Sequence, residues 1–112
     1  MEKLFSYGTL QLPQVQQAVF GRLLIGSIEL LPGYRVENLK IKDLSVIKKS
    51  GTDLHPILVH TGNPVDEVSG VAFAVTGDEL AKADEYEVDD YKRVYVSMRS
   101  GVKAWIYCSF KQ

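Results

Sequence analysis

Leu4-Phe5-Ser6-Tyr7-Gly8-Thr9-Leu10, with Pro13 close behind, is the stretch on which the reading of this chain turns. An apolar strand beginning at Leu4 runs straight into a glycine and then toward a helix. Glycine takes backbone dihedrals closed to other residues, and the amides after it lose their ladder partners before the helix begins. Tyr7, Gly8, Thr9 and Leu10 are therefore the first candidates to face a ligand, since amides so placed bind anions or developing negative charge. A strand, one glycine and a helix equally describe an ordinary tight turn, so this corner needs support from elsewhere in the chain.

Outward from the corner, Pro13 opens a helix and Gly21 closes it, the usual placement of these residues at helix ends, although Leu12 is a poor N-cap. Val15, Ala18 and Val19 fall on its apolar face, and Gln14, Gln16 and Gln17 take the other. The run from Leu23 to Leu31 reads as a strand in which Gly26 marks a bulge or a close backbone approach, and Pro32-Gly33 turns the chain. Between Tyr34 and His60 the apolar pieces are short: Val36 to Ile41, Val46-Ile47 and Ile57 to Val59, interrupted by Ser50-Gly51-Thr52-Asp53. Short strands and loops are expected there, with His55-Pro56 excluded from mid-strand and Gly62-Asn63-Pro64 as a further break. Gly70 to Val75 is nearly all apolar, as in a central strand covered on both faces.

Thr76-Gly77-Asp78-Glu79 has the spacing of a capping box, so a second helix starts there. Continued at 100° per residue, that helix carries Leu80, Ala83, Asp84 and Glu87 on one side and Lys82 and Glu85 on the other. After Tyr91 alternation takes over. Val94, Val96 and Met98 share one side of a strand, Ala104, Ile106, Cys108 and Phe110 one side of the next, and Ser100-Gly101 joins them as a tight hairpin.

Composition narrows the function classes. At 112 residues and 46% hydrophobic the chain is one domain with enough apolar material for a core. A net charge of -1 and a pI near 6.1 leave no basic excess. Lys40, Lys42, Lys48 and Lys49 are interrupted by Asp43 and apolar residues, which argues against a nucleic-acid partner. The start Met-Glu-Lys-Leu has no long apolar run behind it, so neither a signal peptide nor a membrane span is expected. The lone Cys108 forms no internal disulfide and suits a reducing, cytoplasmic setting. Its place beside Ile106 and Phe110 reads as a small buried hydrophobe, not a nucleophile.

Among the acids, Glu87 stands apart because helical phase turns it toward the core. Burial disfavours the charged carboxylate, leaving a group able to take and return a proton near neutral pH. The alternative is that the helix ends before Glu87, which then belongs to the acidic surface run Asp84, Glu85, Glu87, Asp89, Asp90. An EF-hand needs a central glycine, and none occurs between Gly77 and Gly101. A glycosidase pair needs a defined carboxylate separation that spacing does not supply. His55 and His60 lack the helical spacing of a zinc pair, so no metal or cofactor is expected. Trp105 and Tyr107 alternate with the apolar face of the last strand, where aromatics line a pocket wall or fill a barrel interior.

Taken together, Tyr7-Gly8-Thr9-Leu10, Asp84-Glu85-Tyr86-Glu87 and Tyr91-Lys92-Arg93-Val94 resemble the gamma-glutamylcyclotransferase-like superfamily, including its AIG2-like and gamma-glutamylamine branches. Phe20-Gly21-Arg22, Leu31-Pro32-Gly33-Tyr34 and Val68-Ser69-Gly70-Val71 fall in family order, so the likeness covers most of the chain. Where many members have Leu-Asp and Glu-Gly around the turn, this chain has Ala83-Asp84 and Glu87-Val88. The resemblance implies a single small α+β domain, a mixed barrel-like sheet with two short helices, and a pocket floored by Tyr7 to Leu10. It also implies a catalytic glutamate at Glu87; beside it, Tyr91 and Tyr107 are expected to contact substrate and support the site without proton transfer, and Arg93 to pair with Asp84 or another acid of the turn. The implied reaction is cyclisation of a small γ-glutamyl amine or peptide, releasing 5-oxoproline. Two other readings stay open: a binding protein of the same fold that holds a small carboxylate, and an amide hydrolase in which Glu87 activates water.

Overall fold

The computed structural model describes residues 1–40, 54–87 and 91–109. Expected pieces at Val46-Ile47, Ser50 to Asp53, Val88 to Asp90 and Phe110 lie outside them. Strands β1 (Glu2–Ser6), β2 (Gly26–Pro32), β3 (Tyr34–Lys40), β4 (Leu54–His60), β5 (Glu67–Val75), β6 (Tyr91–Ser97) and β7 (Lys103–Ser109) are joined by two α-helices, α1 (Pro13–Phe20) and α2 (Gly77–Tyr86). The strands form one mixed sheet in the order β2-β5-β1-β7-β4-β3, with β6 on β7. This is the α+β domain expected, and the tip of the β6–β7 hairpin curls back to the β2 flank. There the Arg99 amide donates to the Leu30 carbonyl at 2.7 Å and Ser100 Oγ to Glu29 Oε1 at 2.7 Å. No described helix is long and apolar enough to cross a membrane.

Alternation along the strands builds two apolar layers. Leu4, Val75 and Tyr107 face the helices and pack with Val15, Phe20, Leu80 and Ala83. Phe5, Ala104, Ile106 and Cys108 face the other way and pack with Leu31, Leu58 and Met98. β5 is central as expected, bonded to β1 on one side and β2 on the other. Gly26 marks close approach: a Cβ there would lie 2.6 Å from the Ala72 carbonyl oxygen.

Strand β7 sets the site. Its pairing with β6 runs from Tyr91↔Ser109 to Ser97↔Lys103 and takes one whole edge. On the other edge β1 is parallel to it at Leu4↔Trp105 and β4 at Leu58↔Cys108. β1 must therefore peel away where β4 takes over, and a fork opens beside Tyr107. The Tyr7 hydroxyl fills it, donating to the Tyr107 carbonyl at 2.6 Å and accepting from the Leu58 amide at 3.3 Å.

Three local expectations are corrected. His55 and Pro56 do lie within β4, Pro56 opposite Asn38. Leu58 turns its N–H toward Tyr7, away from β3, so Pro56, two residues earlier and in the same orientation, removes no donor from the β3 ladder. Gln16 is buried and Ala18 exposed, because Gln16 spends both ends of its amide: Nε2 donates to the Leu10 carbonyl at 2.9 Å and Oε1 accepts from the Leu24 amide at 2.9 Å. The hairpin is wider than a two-residue turn. Met98 accepts from the Gly101 amide at 3.0 Å and donates to Val102 at 2.7 Å, with Gly101 at φ 93.

The stop of α1 and the start of α2 are as their sequences specify. Gly21 caps α1 in the left-handed conformation, φ 72. Thr76 and Glu79 complete the capping box of α2. Glu79 also ties α2 to the segment just after α1, its carboxylate oxygens accepting from Arg22 Nε and Nη2, each at 2.8 Å. That bidentate bond, backed by the Thr76 amide, holds the Glu79 carboxyl down at about 2. A depressed carboxyl stabilises the fold above its ordinary range and loses that contribution as pH falls toward 2. Glu79→Ala is expected to cost about 1–2 kcal/mol in urea unfolding at pH 7, with the difference shrinking in acid.

Candidate active site

The corner after β1 is held by tying off its carbonyls. Ser6 O accepts from Gln11 Nε2 at 2.9 Å, Gly8 O from the Gln11 amide at 3.1 Å, Thr9 O from the Leu12 amide at 2.9 Å, and Leu10 O from Gln16. Thr9 to Gln11 form a 3₁₀ turn whose first internal bond starts at the Gln11 amide, so the amides of Thr9 and Leu10 precede it. The Gly8 amide leans on Ser6 Oγ at 3.4 Å, a long bond, so the corner presents its carbonyls satisfied and its amides at the start of the turn. Gly8 sits at φ -139, so its value here is not a left-handed dihedral. It forms part of the cleft wall.

That cleft is lined by Phe5, Ser6, Tyr7, Gly8, Thr9, Leu10, Glu87, Tyr91 and Tyr107. Every residue singled out from sequence for catalysis or substrate contact is thus on one wall or another of a single cleft. Tyr7 contributes its ring, since its hydroxyl bonds β4 and β7 together.

Glu87 arrives by a different route from the one its spacing suggested. Helix α2 ends at Tyr86, and Glu87 is its C-cap, at φ -71 and ψ 150, with its amide on the Ala83 carbonyl at 3.0 Å. The buried stripe of α2 is Glu79, Leu80, Ala83 and Tyr86, so Asp84 is not on the apolar face; its side chain is 42% exposed. The chain leaves the helix in an extended conformation that turns the Glu87 side chain inward and buries Oε2. The carboxyl is pushed up to about 8, first by burial and then by the negative charge of Asp84. Burial also raises the Tyr7 phenol well above its ordinary range, with Tyr91 and Glu87 adding to it.

Asp84 anchors the other side. Its Oδ1 accepts from Tyr107 Oη at 2.7 Å and from Arg93 Nε at 2.9 Å. Arg93 also lies over the Trp105 ring, 4.4 Å from its centroid. The Tyr107 phenol is raised by burial and by its bond to the Asp84 carboxylate. Arg93 thus fixes the end of α2 against β7.

Several contributors were not singled out from sequence. Phe5 and Ser6 line the cleft, Gln11 and Gln16 hold its carbonyls, and Tyr86 shares a 2.7 Å hydroxyl bond with Thr9. Tyr86 was within reach, being seven residues after Glu79 on a helical stripe; the glutamines carried no signal. Cys108 is buried in the opposite layer, and burial pushes its thiol up, so it is no nucleophile for this cleft. Among the described residues no three His, Cys, Asp or Glu side chains gather at one point. His60 packs its ring edge-on to Tyr34, centroids 5.0 Å apart.

The chain matches the family model described as gamma-glutamyl cyclotransferase, AIG2-like, over residues 4–112, and it belongs to that family. A search of curated proteins returned no match. Among solved structures, two Arabidopsis thaliana proteins resemble it at 24% and 25% identity, each with a TM-score of 0.73. They are matched over 96% and 98% of this chain and 61% and 69% of their own. A gamma-glutamyl cyclotransferase is 17% identical, with a TM-score of 0.70 over 96% of this chain and 66% of that one, which shows a shared fold. The chain therefore spans 61% of the first of these relatives.

Proposed function

We propose that this chain is a cyclotransferase that releases 5-oxoproline from a small γ-glutamyl amine or peptide. The observation that carries the reading is a buried carboxyl, at about 8, in the same cleft as a corner whose carbonyls are tied off and whose amides precede a helical turn. The substrate's α-carboxylate or carbonyl oxygen sits at the amides of Gly8, Thr9 and Leu10. Glu87 as carboxylate takes the proton of the α-ammonium, and the freed amine attacks its own γ-carbonyl carbon. A ring C–N bond forms, the bond to the departing nitrogen breaks, and Glu87 returns its proton to that nitrogen and then relays the second proton shed by the ring nitrogen, so that the departing group leaves as an ammonium. Atoms and charge balance with no water and no cofactor consumed. The tyrosines of the cleft, Tyr7, Tyr91 and Tyr107, favour a curled glutamyl chain, and such orientation supplies much of the rate in a ring closure.

The test is a panel of γ-glutamyl amines and dipeptides incubated with the protein, with products read by mass. 5-Oxoproline in the presence of a metal chelator is the expected result. Free glutamate would instead assign hydrolysis, and binding of the panel without any turnover would assign a carboxylate-binding module.

A further inference from the structure

Resting on the reading of the cleft as a glutamyl site, the geometry points to Asp84 as a positioning residue. Clamped by Arg93, its carboxylate holds the Tyr107 hydroxyl as a donor, so the phenolic oxygen is left to the cleft as an acceptor for a substrate N–H or ammonium. Asp84 lies outside the cleft lining and acts through what it holds.

A phenol has one proton to give, and Tyr107 gives it to Asp84 Oδ1 at 2.7 Å. The same oxygen of Asp84 receives Arg93 Nε at 2.9 Å, and the guanidinium is steadied by the Trp105 ring. The direction of the Tyr107 bond is therefore set from outside the site. A cleft whose lining includes the 7–10 corner, Glu87 and Tyr107 can then meet the two ends of an amino-acid head group with amide donors and a phenolic acceptor.

The same carboxylate acts on Glu87 at a distance. Among the described residues, the titratable and charged groups near Glu87 are Tyr7 from the corner, Tyr91 from β6, Tyr107 from β7 and Asp84 from α2, with Arg93 behind Asp84. Asp84 and Arg93 form an ion pair, and the two partners act on a neighbouring carboxyl with opposite sign.

The test uses the full chain with carboxyl-¹³C glutamate, the Glu87 resonance being identified by its loss in Glu87→Gln. Asp84→Asn is expected to lower the Glu87 titration midpoint by about half to one pH unit, and Arg93→Ala to raise it. A merely structural role would disturb melting in both variants without moving the midpoints apart. With a γ-glutamyl substrate that is turned over, Asp84→Asn and Tyr107→Phe should each raise KM about 10-fold, the cost of one hydrogen bond, with smaller losses in kcat. Midpoints that stay put or move in the same direction overturn the proposal, as does a Tyr107→Phe variant with unchanged KM. If the midpoints separate while no γ-glutamyl compound is turned over, Asp84 keeps its role and the fault lies in the reaction assigned above.

Discussion

Glu87→Gln is expected to lower kcat on a γ-glutamyl substrate by about 10² to 10⁴, with far less change in KM. Glutamine keeps the shape and the hydrogen-bonding capacity of the side chain but takes no proton. The wild-type pH–rate profile should show an acid limb with its midpoint near 8, where the buried carboxyl loses its proton. Stability moves in the opposite sense. A carboxyl at about 8 in the fold against an ordinary 4.5 binds a proton that the unfolded chain has released, so wild-type stability falls as pH rises between these values. The glutamine variant lacks that fall and should melt at least as high as wild type at pH 8 to 9. A variant that loses turnover and stability together would mean that Glu87 supports the fold and not the reaction. Asp90→Asn, altering the same acidic run, serves as the control; if it reproduces the loss while Glu87→Gln turns over normally, the carboxylate is misassigned.

The second large effect belongs to Gly70. On β5, opposite Glu29, it lies one residue past the last β1 pair, Ser6↔Val71, and a Cβ added there would press on the Ser6 carbonyl oxygen and come within 2.6 Å of Phe5 Cζ. The oxygen is backbone in a paired strand and cannot step aside cheaply, while Phe5 is fully buried. Gly70→Ala should therefore destabilise by about 2–3 kcal/mol, and Gly70→Val by more, because overpacking of a filled core is relieved only by shifting backbone. In melting temperature that is a loss of about 10–20 °C for a domain of this size. Phe5 and Ser6 line the cleft, so whatever folded Gly70→Ala protein remains should also turn over more slowly. An unchanged melting temperature would show that β1 yields more readily than a central strand should.

What the chain determined on its own is whatever acts over a few residues. The Pro13 start and Gly21 stop of α1, the Thr76–Glu79 box of α2, the alternation of β6 and β7 and the close approach at Gly26 all rest on local rules, and each reappears in the fold. The family likeness added the association of the corner with Glu87, and the cleft holds both. Helical phase, by contrast, pointed Glu87 inward for the wrong reason: α2 stops one residue earlier, and it is the extended exit that buries the carboxyl. Such burial depends on what lies opposite, and β1, β6 and β7 supply it. The same holds for Tyr7, whose hydroxyl fills a fork made by strands meeting 100 residues along the chain, and for Thr9 and Tyr86, 77 residues apart. Gln16 looked solvated because a lone amide on a helix has no local partner; its partners, Leu10 and Leu24, come together only when the chain closes on both sides of α1. Desolvation and hydrogen-bond partners are properties of the assembled interior, and so only the tertiary structure decided which carboxyl is raised and which tyrosines belong to the framework.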